Sequence, residues 1–178
     1  VAEKATIYKA NITLSDTDRH YYGELNLTIA LHPSETIERM MVRVLAFCYC
    51  AAENLTFTRG LSSADEPDLW LKSDDGRILE WIEVGQPAFD RLKKACGQSV
   101  AVKVFTYGRG MDIWWNTNAA AISALPKVTT RYFAADELNA LVQLAEKTMN
   151  LTVTIAETIA YIDSAGQSVS ISPRAMPM

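Results

Sequence analysis

The sequence predicts a mixed α/β (α+β) fold, a single domain with a central mixed β-sheet flanked by helices. Three observations point there: segments of two-residue apolar alternation, apolar stripes at helical spacing between them, and one valine-rich segment suited to a strand buried on both faces. No internal repeat or linker divides the chain. Residues 1–163 are therefore expected to form one domain, and the Ser- and Pro-rich stretch 164–178 a mobile C-terminal tail.

Tyr8, Ala10, Ile12 and Leu14 alternate with polar residues, and Leu25, Leu27, Ile29 and Leu31 do the same after the polar run 15–20. The pair reads as an antiparallel hairpin. Pro33-Ser34-Glu35 then opens a helix, with Ser34 as its cap and a buried stripe through Ile37, Met40, Met41, Val44, Leu45, Cys48 and Ala52. A short strand at 55–57 and a loop at 60–66 precede two strands, 68–72 and 78–84, joined by the turn-forming run Ser73-Asp74-Asp75-Gly76. Trp70 and Trp81 are placed to pair across that hairpin. A helix over 88–96 is expected to close at Gly97, followed by the Val100, Val102, Val104 strand as a central one. A helix over 111–123, a strand over 128–132, a helix over 134–147 and a hairpin of 151–156 with 159–163 complete the reading.

Composition excludes several classes. Of 178 residues, 49% are hydrophobic and 21% charged, which is ordinary for a globular chain and rules out wholesale disorder. No apolar run is long enough to span a bilayer as a helix, and the first residues lack a signal-peptide pattern. Cys48, Cys50 and Cys96 are too few for a disulfide framework, so buried structural thiols and a cytoplasmic location are expected. The net charge of −4 argues against broad electrostatic binding to nucleic acid. It is unevenly spread: residues 1–90 carry 8 basic and 15 acidic side chains (−7), and residues 91–178 carry 9 and 6 (+3).

The chemistry-bearing stretch is Glu66-Pro67-Asp68, a hairpin, then Trp81-Ile82-Glu83-Val84-Gly85-Gln86-Pro87. Magnesium-assisted phosphodiester hydrolysis needs carboxylates converging on one hard cation that keeps several waters. Asp68 and Glu83 lie on neighbouring antiparallel strands and can supply this pair as ligands of Mg2+ or Mn2+. Their bland alternative is turn and strand-edge residues in water. A cation on the face of Glu83 belongs two residues later, at Gly85, which offers nothing. A β-bulge at Gly85 would bring Gln86 onto that face to orient a water. Lys93 or Lys94 on the next helix can reach in, or simply face solvent. Glu80 points away from Glu83, Asp74 and Asp75 form a turn, and His32 reads as a packed or capping residue. Arg19, Tyr21 and Tyr22 either contact a ligand or pack the hairpin turn.

The order of elements and the Pro-Asp and Glu strands resemble the PD-(D/E)XK nuclease-like fold. Across about residues 4–163 the chain is similar to the bacterial YaeQ family, through Asp18-Arg19-His20-Tyr21-Tyr22, Leu31-His32-Pro33-Ser34-Glu35-Thr36, Glu38-Arg39-Met40-Met41-Val42-Arg43, Asp65-Glu66-Pro67-Asp68-Leu69-Trp70 and Trp81-Ile82-Glu83-Val84-Gly85-Gln86-Pro87. The resemblance implies metal binding by Asp68 and Glu83 and makes Glu38 the match of an acidic residue supplied by the first core helix. The signature's lysine is missing. Two functions follow as expectations: a metal-dependent nuclease with a divergent site, or a non-catalytic nucleic-acid- or protein-binding regulatory module on the same fold.

Overall fold

The computed structural model describes residues 4–177. In chain order it contains β1 (Thr6–Asp16), β2 (Tyr21–Leu31), α1 (Ile37–Cys50), β3 (Leu55–Phe57), β4 (Leu69–Lys72), β5 (Ile78–Val84), α2 (Phe89–Gln98) and β6 (Ser99–Thr106). Then come α3 (Met111–Ser123), β7 (Val128–Tyr132), α4 (Ala135–Val142), β8 (Thr148–Ala156), β9 (Ile159–Ser164), β10 (Gln167–Ile171) and β11 (Arg174–Ala175). The chain is mixed α/β, with sheets flanked by helices. It carries two sheets rather than the expected single one, in two compact units: the described part of Val1–Ala51 with Ala134–Pro173, and Ala52–Phe133 with the described part of Arg174–Met178.

In the first unit the sheet order is β10-β9-β8-β1-β2. The β1–β2 hairpin has the predicted alternation, burying Ala10, Ile12, Leu14, Leu27 and Ile29. β8 runs parallel to β1, with Ile12 opposite Leu151. No local pattern announces a pairing between segments so far apart. The β8–β9 turn places Glu157 and Thr158 at φ 52° and 70°, the twist a tight hairpin requires. Asp18 holds it, accepting from the backbone N–H of Glu157 at 2.9 Å and of Thr158 at 2.8 Å.

Four local expectations are corrected. The cap of α1 is Thr36, whose hydroxyl accepts from Arg39 N, because residues 32–35 first close a turn with Glu35 N donating to His32 O. Ser34 instead donates its N–H to His32 Nδ1. α2 runs through Gly97 to Gln98, and α4 stops at Val142, short of residue 147. Lys9 N bonds to Lys147 O, drawing the chain there into β8. The expected mobile tail is largely paired, β10 on β9 and β11 on β7.

In the second unit the order is β11-β7-β6-β5-β4-β3, with β5, β6 and β7 mutually parallel. β6 is interior, as predicted, yet Val100 is 57% exposed. Pairing with β7 begins only at Val102, so Val100 has a strand on one side alone. From Val102 onward the strand is buried except at half-buried Lys103. Trp81, Val102 and Val104 meet Leu92 and Ala95 of α2 and Ile122 of α3 in one apolar cluster. Burying a leucine or valine side chain there stabilises by roughly 1.5–3 kcal/mol. This cluster fixes α2 over the sheet face that carries Glu83.

Candidate functional site

Asp68 immediately precedes β4 and Glu83 lies on β5. The pairing of the two strands begins at Leu69 opposite Ile82, and Asp68, one residue earlier, lies near enough for its negative charge to act on the Glu83 carboxyl. Both carboxylates are buried, 3% and 4% exposed, which overturns the reading of solvated turn and edge residues. Asp68 Oδ2 accepts from Val84 N at 2.8 Å, and Asp68 N donates to Ile82 O at 3.0 Å.

Glu83 is held on one oxygen. Its Oε1 accepts from Trp81 Nε1 at 2.8 Å and from Arg91 Nε at 2.6 Å. Trp81 reaches it because residues two apart on a strand share a face. Arg91 comes from the first turn of α2, and its guanidinium also lies 5.9 Å from the centre of the Trp81 ring. Burial raises the Glu83 carboxyl above its ordinary range, and the negative charge of Asp68 raises it further. Arg91 and the Trp81 hydrogen bond act in the opposite direction.

Arg91 is the group that the sequence reading missed. Lys93 and Lys94 are both exposed on α2, whereas Arg91 turns inward. The signal was present: Arg91 lies four residues before buried Ala95, on one face of the helix, and eight after Glu83.

Gln86 is committed elsewhere. Gly85 does adopt φ 106°, but β5 has ended at Val84, and the register slip in this hairpin falls at Leu71/Lys72. The Gln86 amide then donates to Tyr107 O at 3.0 Å and Arg109 O at 3.1 Å, bracing the loop before α3. Glu38 is half-buried on α1, in the other unit from the acidic pair. Glu80 pairs with Lys103 on the opposite sheet face. Trp70 and Trp81 form the predicted cross-strand pair, edge-on at 6.4 Å between ring centres. Asp75 caps its turn through Ser73 and Arg77. Arg19 ties Asp16 to Ala51 O, and Tyr21 lies beneath its guanidinium, so this turn packs on its own unit. Cys48, Cys50 and Cys96 are all free, and burial pushes the Cys48 thiol up to about 12. Among the described residues no group of three or more His, Cys, Asp or Glu could hold a metal ion, so the acidic pair acts as a pair.

The family described as YaeQ protein matches residues 1–173. The chain belongs to the YaeQ family. It is 40% identical over 173 residues to the "Uncharacterized protein YaeQ" of Escherichia coli strain K12, covering 97% of this chain and 96% of that one. The Salmonella typhi relative is 41% identical over 172 residues, with 96% and 95% covered. Two crystal structures of YaeQ proteins share the fold. The one from Pseudomonas syringae superposes with TM-score 0.94 at 36% identity, over 99% of this chain and 98% of that one. The one from Xanthomonas axonopodis pv. citri gives 0.92 at 38%, over 97% and 98%.

Proposed function

We propose that this chain is a metal-dependent phosphodiester hydrolase acting on nucleic acid, a divergent relative of the PD-(D/E)XK nucleases. One observation carries the reading: two buried carboxylates lie near one another at the end of the β4–β5 hairpin, with a guanidinium from the next helix on Glu83.

The donor set fits a hard cation. Mg2+ and Mn2+ take oxygen ligands, and magnesium is commonly held by one or two carboxylates, with waters and substrate phosphate completing the shell. Asp68 and Glu83 would hold it. Glu83 Oε2 accepts no hydrogen bond among the described residues, so it has capacity for a ligand. When bound, the ion supplies polarisation of the phosphoryl oxygen and a bound water of lowered pKa. Arg91 takes the place of the missing lysine as a positive charge for the reacting phosphate. Gln86 sets the 107–110 loop in place rather than orienting water, and Lys93 and Lys94 offer exposed charge to a phosphate backbone. No helix among the described residues is long and apolar enough to cross a membrane. We also place the enzyme in the cytoplasm, where free thiols stay reduced.

A second reading has its own support. Arg91 already engages Glu83, as it would in a non-catalytic binding module whose acidic pair is vestigial. Calorimetric titration of the metal-free full chain with Mn2+, beside Glu83→Gln, separates the two. The hydrolase reading expects one saturable site that the variant loses. A folded wild type without saturable binding overturns it and leaves the module.

A further inference from the structure

The segment between β3 and β4 runs against Asp68. Gly60 sits at φ 52°, and a Cβ built on it would lie 3.7 Å from Asp68 Oδ1. Thr58 bonds to Pro67 O, and Arg59 pairs with Glu66, closing residues 58–67 into a strap. Arg91 fastens that strap from the other side, donating to Ala64 O at 2.6 Å and to Glu66 O while its Nε holds Glu83 Oε1. A single guanidinium therefore joins one candidate ligand to two carbonyls of the segment that backs on the other. Glu83 is the one charged partner of Arg91 in this set, since the other two are neutral carbonyls.

We propose that Arg91 is a latch that competes with the divalent cation for Glu83, so that cation binding and release of the strap beside Asp68 are one coupled step. The inference rests on the hydrolase reading and deepens it. A cation arriving at Glu83 repels the guanidinium and takes its counter-charge. Two carbonyl hydrogen bonds alone hold a charged side chain poorly against water. The strap then loses its fastening, and Arg91, without an acidic partner, is available to the phosphate of an incoming nucleic acid. Coupling is reciprocal: whatever loosens the latch must tighten cation binding by the same factor.

The test uses the full chain with Mn2+ as probe, in wild type, Arg91→Gln and Arg91→Lys, each checked for folding by thermal unfolding. Calorimetry should give Arg91→Gln about tenfold tighter Mn2+ binding, within the usual span of site coupling. Arg91→Lys, which keeps the charge without the fork, should stay within about threefold of wild type, since only the charge competes with the cation. Trypsin should cut after exposed Arg59 faster in wild type only when Mn2+ is present, and equally fast with or without it in Arg91→Gln. Equal or weaker Mn2+ binding by Arg91→Gln than by a wild type that does bind, or cleavage at Arg59 indifferent to Mn2+, overturns the latch and leaves the hydrolase reading intact. Absence of saturable binding in both folded proteins overturns the hydrolase reading and the latch with it.

Discussion

Among the described residues two glutamates are buried, one in each unit, and they are treated oppositely. Glu35 meets two cations. Arg43 forks onto it, Nη2 to Oε1 at 2.6 Å and Nε to Oε2 at 2.8 Å, and Arg39 adds a bond to Oε2 at 2.9 Å. Arg43 also donates to Ala30 O, tying α1 to β2. Glu83 meets one arginine, on one oxygen, and shares its surroundings with a second carboxylate. In the first cluster two arginines engage both carboxylate oxygens of one glutamate. In the second, one arginine engages a single oxygen of a glutamate that has another carboxylate nearby. An ion pair forked on both oxygens fastens elements together, whereas one engaged on a single oxygen keeps capacity for the cation proposed above.

The comparison breaks most sharply at Arg43. Arg43→Ala leaves Glu35 buried with its fork removed, and urea unfolding should show a loss of about 3–5 kcal/mol, the range for breaking a buried pair. A loss below about 1 kcal/mol would mean that Arg39 alone suffices there.

The Glu83 side is sharpened by pH. Its folded pKa is raised above the 4.5 of an ordinary glutamate, so the folded chain binds this proton more tightly than the unfolded one. Stability from this group is accordingly gained as pH falls through the folded pKa toward 4.5, and the penalty of the buried charge is present above it. Wild type should gain thermal stability relative to Glu83→Gln on going from neutral pH down to that window. A difference that stays flat would place Glu83 in a better compensated site than its burial and neighbours imply.

The smallest effect concerns how Glu35 is delivered to its arginines. Thr36 caps the helix that carries Arg39 and Arg43, so Thr36→Ala should cost about 1 kcal/mol in the same unfolding measurement. Ser34→Ala, which removes no cap, should cost no more than about 0.5 kcal/mol. The reverse order would restore Ser34 as the cap.

The parts of this protein legible in its sequence are those governed by local periodicity. The β1–β2 alternation, β5, α3 and β7 stand where their residues place them, and the nearness of Asp68 to Glu83 follows from a hairpin whose turn is written in Ser73-Asp74-Asp75-Gly76. The Trp70–Trp81 pair follows from the same register. Tertiary structure decided the rest. The parallel pairing of β8 with β1 joins distant segments, and it divided one expected sheet into two. The pairing of β10 with β9 drew an apparent tail into the first unit's sheet. Choosing Arg91 over Lys93 and Lys94 required knowing which side of α2 the Trp81, Leu92 and Ala95 cluster holds against the sheet. That orientation is set by packing, and a helix's sequence restricts its buried face without naming what lies beneath it.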